Sequence, residues 1–292
     1  LNGYLRFEAP RRRGKDSMPE LPEVEVIRRG LAPLLVGRRF LDVKVGENRL
    51  RQQSSPRELR RWLRGRRLKN LRRRGKYLRF DLEGGVTLVI HLGMTGRLLV
   101  GPPLPPTLPH VHLVFKMEDG LELVFQDVRR FGQVLVFPPG VEPAPLAQVG
   151  AEPFSRKVTP NWLLTQARGR SRPIKNFLLD ARLLAGIGNI YACEILFAAG
   201  LHPATPAGRL TLEDWSRVLT ETRRILKQSI KKGGTTVANY LNSRGESGLF
   251  QLELLVYGRA AEPCRRCGAP ILRLVQAGRS TFFCPVCQPY KD

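Results

Sequence analysis

Four cysteines near the C-terminal end constrain this 292-residue chain more than any other feature. Cys264 and Cys267 form one C-x2-C pair and Cys284 and Cys287 a second, with sixteen residues between the pairs. Two thiolate pairs at that spacing can close a tetrahedral site for one structural Zn2+ ion. A short hairpin is predicted between them, with strands Ile271–Val275 and Thr281–Cys284 and a turn at Ala277-Gly278. A pair of disulfides is the alternative. Against it, the first 17 residues hold no apolar run long enough for a secretory signal. Cys193, the fifth cysteine, falls in an apolar helical stretch and reads as a buried core thiol.

Charge narrows the partner. Lys and Arg total 49 against 25 Asp and Glu, a formal net charge of +24, and 38 of the cations are Arg. The planar guanidinium fork suits phosphate oxygens, so the excess points to nucleic acid. A solvated basic surface is the competing reading. Hydrophobic residues make up 42% of the chain, enough for a packed core. No apolar stretch approaches the roughly 18 residues of a membrane span. No basic amphipathic helix with a broad apolar face argues for a membrane surface.

Hydrophobic period divides the chain. Residues 1–18 are basic and aperiodic, with Arg11, Arg12 and Arg13 in a row. They read as a leader that is disordered or absent from the mature protein, with Met18 as the initiator. A helix is predicted from Glu20, with Ile27, Leu31, Leu34 and Leu35 on one face and a break at Pro33. Alternating strands follow at Leu41–Val45, Tyr77–Leu82, Val86–Leu92, His110–Met117, Leu121–Gln126 and Gln133–Phe137. Short strands with Gly and Pro turns imply an antiparallel β-sandwich over 19–140. Gly101–Pro109 is a Pro-rich loop, and 141–158 is a Pro-rich linker. Helical period marks a domain over 159–250. There Thr159-Pro160 opens one helix, and Thr211 and Asp214 open another that Gly233-Gly234 stops near Lys232. Trp215, Val218, Leu219, Thr222 and Leu226 form the inner face of that second helix. Residues 256–292 form the zinc module.

Several segments could carry chemistry. Gly186 and Gly188 permit a tight turn, with Asn189 as a candidate cap for the helix that follows. A glycine-opened helix start can bind phosphate, although such turns also serve as plain connectors. Arg279 sits at the tip of the zinc hairpin, where it can read a groove or a phosphate. Met94 and Phe131 read as core residues, or as wedges for a base stack because Arg129 and Arg130 lie beside Phe131. No Ser-His-Asp or Cys-His arrangement is evident. Met18-Pro19-Glu20 stands out, because a terminal proline nitrogen is a secondary amine and a competent nucleophile.

The segments PELPEVE, GKYL, HLGMTG, DVRRFG, GIGNIYACEILFAAGLHP, GGTT and QLELLVYGR, with the terminal CxxC…CxxC, occur in this order. Together they resemble the bacterial formamidopyrimidine-DNA glycosylases over nearly the whole span from Pro19 to Gln288. The resemblance implies an α+β multidomain fold: an N-terminal antiparallel β-sandwich with a flanking helix, a helix–two-turn–helix domain and a C-terminal zinc finger hairpin, with DNA in the cleft between. It implies a cytoplasmic, monomeric enzyme of base excision repair acting on double-stranded DNA that carries oxidised purines or abasic sites. Pro19 would attack C1′ of the damaged nucleotide, and Glu20 would move protons at the sugar. Glu23 and Lys175 would support the site. Lys76, counted with Pro19 and Glu20 in the catalytic set, would grip a phosphate, as would His91, Asn189 and Arg279. Met94, Arg129 and Phe131 would fill the gap left by the extruded nucleotide, with Arg129 reading the orphaned cytosine.

Two departures carry weight. Val128 stands where the family usually has Pro. The leader, if retained, makes the Pro19 nitrogen an amide with no available lone pair, so the resemblance implies a working protein that begins at Pro19. Three rival readings follow: an endonuclease VIII-type glycosylase for oxidised pyrimidines, a non-catalytic damaged-DNA binder with Pro19 blocked, and a zinc-ribbon transcription factor. The PELPEVE start and the Met94/Arg129/Phe131 set argue against the first.

Overall fold

The computed structural model describes residues 5–8, 18–47, 49–103, 108–233 and 254–290. The chain forms two units, one running to Ala147 and one combining Gln148–Lys231 with the residues from 254 onward. The first holds β1 (Leu5–Glu8), α1 (Leu21–Leu35), β2 (Phe40–Val45), β3 (Gln52–Gln53), α2 (Pro56–Leu63), β4 (Leu68–Arg74), β5 (Tyr77–Leu82), β6 (Thr87–His91), β7 (Gly96–Gly101), β8 (Val111–Met117), β9 (Glu122–Asp127), β10 (Gln133–Phe137) and α3 (Ala144–Ala147). The second holds α4 (Pro160–Ala167), α5 (Ile174–Leu178), α6 (Asn189–Ala199), α7 (Leu212–Lys231), β11 (Leu272–Gln276) and β12 (Arg279–Phe283).

In the first unit two five-stranded sheets face each other, in the orders β1-β7-β9-β8-β2 and β3-β10-β6-β5-β4. Alternation drives this layering. Leu78, Phe80 and Leu82 of β5 turn inward and are buried, while Tyr77, Arg79 and Asp81 stay half-buried. The inner faces join in one core with Phe40, Phe115, Phe125 and Ile90, and the Phe40 and Phe115 rings meet edge to face at 5.9 Å. α1 packs against β4 and β1 at one flank, and α2 against β2 and β10 at the other.

Three expectations change here. Leu5–Glu8 of the leader form a strand antiparallel to β7, so the disordered reading fails for those four residues. The rest of residues 1–17 lies outside the described residues. Pro33 does not break α1, which continues to Leu35. Pro33 gives up only its own intrahelical N–H bond, its fixed φ is already helical, and the buried Leu31 and Leu35 hold the last turn against the sandwich. α2, β4 and β7 were not anticipated. In α2 and β4 arginines crowd the apolar period, leaving Leu59, Leu63, Leu68 and Leu71 as the buried positions.

In the second unit α6 is buried on nearly all sides, and α7 lays Trp215, Val218, Leu219, Thr222 and Leu226 inward as expected. Thr211 and Asp214 cap α7 reciprocally: the Asp214 N–H donates to Thr211 Oγ1 at 3.2 Å and the Thr211 N–H to Asp214 Oδ2 at 3.0 Å. The stop at Gly233 has φ 83°, while Gly234 and the rest of GGTT lie outside the described residues. Thr159 caps α4, with Pro160 as its first residue. The later part of the Pro-rich stretch is held in place. Arg223 of α7 donates to the carbonyls of Pro153, Ser155 and Val158 at 3.0, 3.1 and 2.8 Å. The buried Glu194 carboxylate accepts the N–H groups of Leu255, Val256 and Tyr257 at 2.9–3.0 Å, anchoring the chain that leads into the finger. No helix among the described residues is long and apolar enough to cross a membrane.

Candidate active site and nucleic-acid interface

α1 begins at a buried Pro19-Glu20 pair. Glu20 is 3% exposed and Glu23 2% exposed. The Glu20 N–H donates to Glu23 Oε2 at 3.0 Å, one half of a capping box. Glu23 therefore sets the backbone that carries Pro19 and Glu20. In this chain the Pro19 nitrogen is the amide of the Met18–Pro19 bond. Two residues on from Glu23, Glu25 accepts from Arg28 and Arg29 at 2.8 Å and from Arg73 at 3.3 Å. Burial would raise the Glu25 carboxyl, but the Arg28 and Arg29 hydrogen bonds and the Arg28 and Arg73 charges hold it below the ordinary value. The Glu25–Arg73 pair brings the first turns of α1 to the end of β4 that leads into Lys76.

That end of the sheet gathers cations. Gly75, with φ 56°, and Lys76 form the two-residue turn between β4 and β5, since Arg74 pairs with Tyr77. Tyr77 pairs with His91 across the sheet, and their rings lie 4.7 Å apart. The Gly93 N–H donates to His91 Nδ1 at 3.0 Å. The proton of a neutral His91 therefore sits on Nε2, which can donate to a phosphate oxygen. Burial, then the charges of Lys76 and Arg51, push His91 down to about 4.

Two loops meet above this end. Gly93 has φ 62°, and a Cβ there would come within 2.6 Å of the Phe131 carbonyl carbon, so only glycine permits the approach. Met94 follows, half-buried, and Phe131 is 39% exposed. Neither sits in the main core cluster. The Arg129 guanidinium lies 4.9 Å from the Phe131 ring centroid. The organiser is Asp127, which is 0% exposed. It accepts from the Thr95 hydroxyl, from the Arg129 N–H at 3.2 Å and from the Gly132 N–H at 2.8 Å. Arg130 adopts φ 58°, left-handed backbone that a non-glycine residue rarely takes, and its carbonyl accepts from the Arg51 N–H at 2.8 Å. Asp127 and Thr95 stood in the quoted motifs without being singled out, because a buried carboxylate that serves backbone N–H groups leaves no sequence signal of its own. Val128 is exposed beside this loop.

In the second unit, Gly188 rather than Asn189 is the N-cap of α6, a correction to the sequence reading. The Asn189 Nδ2 instead donates to the Ser280 carbonyl at 2.9 Å. Lys175 is 0% exposed and donates to Thr281 Oγ1 at 2.6 Å and the Ser280 carbonyl at 3.2 Å. Both side chains therefore brace the finger hairpin, where Ala277 and Gly278 make the turn with φ 47° and 72° and Arg279 is exposed. The four finger sulfurs lie within 4.8 Å of one another, with Cys264–Cys287 at 3.9 Å and Cys267–Cys284 at 3.4 Å. Tetrahedral Zn–S bonds of about 2.3 Å require sulfurs about 3.8 Å apart, so the set fits one structural zinc ion. Without a cation, burial and hydrogen bonding among these sulfurs push the Cys287 thiol up to about 12. Thiolates this close need a positive charge between them.

A sandwich end lined with cations, a glycine-opened helix and a metal-fitted hairpin bearing Arg279 define a zinc-containing, DNA-binding class of protein. Residues 18–134 match the Formamidopyrimidine-DNA glycosylase N-terminal domain, 149–240 the Formamidopyrimidine-DNA glycosylase H2TH domain, and 261–289 the zinc finger found in FPG and IleRS. The chain is 46% identical to a Formamidopyrimidine-DNA glycosylase of Cupriavidus pinatubonensis, covering 93% of this chain and 100% of the relative. It resembles the MutM (FPG) structure of Thermus thermophilus at a TM-score of 0.79 and 40% identity, covering 94% of this chain and 100% of that one. It also resembles the Lactococcus lactis glycosylase non-covalently bound to DNA containing an AP site, at a TM-score of 0.82 and 34% identity, covering 93% and 100%. The chain belongs to the formamidopyrimidine-DNA glycosylase family.

Two outcomes check this site. The His91 ring should titrate near pH 4, as the Nε2–H tautomer, by NMR; a midpoint near 6.5 would contradict the burial argument. Its folded-state value is depressed, so the associated stability is complete above about pH 6.5 and is lost as pH falls toward about 4. Cys284→Ser should lower bound zinc from about one ion per chain to none by metal analysis.

Proposed function

We propose that the chain is a bifunctional DNA glycosylase and AP lyase that removes oxidised purines from duplex DNA and cuts the strand at the abasic site. The observation that carries this reading is the match along the full length of the Cupriavidus pinatubonensis enzyme. The Lactococcus lactis glycosylase bound to DNA containing an AP site supports the same substrate class. We place the activity in the bacterial cytoplasm, with the chain acting as a monomer.

The chemistry follows from the residues. Cleavage of the Met18–Pro19 bond gives Pro19 a free secondary amine. Its lone pair bonds to C1′, the C1′–base bond breaks, and the base leaves with a proton. The nitrogen loses its own proton as the sugar ring opens to an iminium. Elimination then breaks the bond to the 3′ phosphate, and a second elimination breaks the bond to the 5′ phosphate. Each step needs a group that moves protons at the sugar, and Glu20, adjacent to Pro19 and buried, suits that task. Chemistry at C1′ requires an extruded nucleotide. Met94 and Phe131 fill the vacated space, and Arg129 reads the orphaned base. Lys76, His91, Asn189 and Arg279 hold phosphates. Glu23 contributes by fixing the start of α1. Lys175 contributes by bracing the hairpin that carries Arg279.

In a chain beginning at Pro19, Glu20→Gln should bind an 8-oxoguanine duplex normally and release the base at least about 100-fold more slowly. A normal release rate in that variant contradicts the assignment of Glu20.

A further inference from the structure

α2 and α1 occupy opposite flanks of the sandwich. α1 lies against β4 and β1, and α2 against β2 and β10. From β1 to β2 there are four strand spacings, about 19 Å, and from β4 to β10 three, about 14 Å. Leu59 and Leu63 of α2 are buried. Arg57, Arg61 and Arg64, the last being the C-cap, follow at i, i+4 and i+7 and are all exposed, so they form one face.

The charges on that face are uncompensated. Glu58, the helix's own carboxylate, is engaged with Ser55 in the N-terminal capping box. The nearby Asp42 pairs with Arg60 at 3.8 Å, and Arg60 also donates to the Val43 carbonyl at 3.1 Å. Among the described residues Arg57, Arg61 and Arg64 have no ion pair. The Arg61 guanidinium rests 5.1 Å from the Trp62 ring centroid, which limits its freedom before any ligand arrives. Like charges at this spacing weaken a helix, so an anion bridging them stabilises it. From Arg57 to Arg64 the axis advances about 10 Å, over which one DNA strand presents about three phosphates.

We infer that this face of α2 grips the backbone of a second, undamaged duplex while the Lys76–His91 end and α1 engage the damaged one. The inference rests on the glycosylase reading for its first duplex. It assigns the protein an intersegment transfer step, in which the second duplex is captured before the first is released.

The test uses the chain beginning at Pro19 and its Arg57→Ser/Arg61→Ser/Arg64→Ser variant. Dissociation from a labelled undamaged duplex is followed while unlabelled undamaged duplex is added at constant ionic strength. For the parent the rate should rise with competitor concentration. In the variant that rise should fall at least about five-fold, and its log–log salt slope should flatten by about 3. A parent rate that ignores competitor, or a variant that transfers like the parent, overturns the inference. Single-turnover excision from an 8-oxoguanine duplex reports the underlying reading separately. Active parent and variant without transfer break the inference alone. An inactive parent that still transfers breaks the glycosylase reading and leaves the second site standing.

Discussion

The bond from the Glu20 N–H to the Glu23 carboxylate is the interaction on which the rest of the structure depends. A helix start has four unpaired N–H groups and frays unless they are met. Here one of them is met by a side chain that is itself buried, so Pro19 and Glu20 are held in a defined place at the head of α1. Glu25, two residues beyond Glu23, ties α1 to Arg73 and so to the strand end that presents Lys76. Pro19, Glu20, Lys76 and His91 therefore share one frame within the first unit.

The second theme is how the protein manages its positive charge. Much of the arginine excess is spent internally, as in Arg223 holding three carbonyls and Arg28, Arg29 and Arg73 converging on Glu25. What stays exposed lies partly on helices, as on α2, and partly on loops and hairpins with stiff backing. Asp127 stiffens the Arg129–Phe131 loop. Lys175, Asn189 and the four finger cysteines stiffen the hairpin of Arg279. A mobile arginine pays side-chain entropy on meeting a phosphate, whereas one on a braced backbone loses less.

Sequence alone reveals the features that repeat or that have a local chemical signature. The period-two strands from Tyr77 to Phe137, the capped α7 and the four cysteines were all legible because neighbouring residues state the pattern. α2 and β4 were not, because arginines occupy their outer faces and few apolar positions remain to mark a period. Pro33 misled because the one helical bond a proline removes is outweighed here by the burial of Leu31 and Leu35 on either side of it. Asn189 looks like a cap by type, yet its amide is drawn to Ser280, a residue distant in sequence. Asp127 and the buried contacts of Lys175 depend on partners that only the fold assembles.

The central claim is that the nitrogen of Pro19, once freed, is the atom that joins the sugar. Borohydride reduction of the protein caught on an abasic or 8-oxoguanine duplex, followed by peptide mapping by mass spectrometry, locates that bond. The account predicts a sugar remnant on the peptide that begins at Pro19. A remnant on Lys76, Lys175 or any other residue, or a trapped adduct formed by chain still carrying Met18 ahead of Pro19, would contradict it.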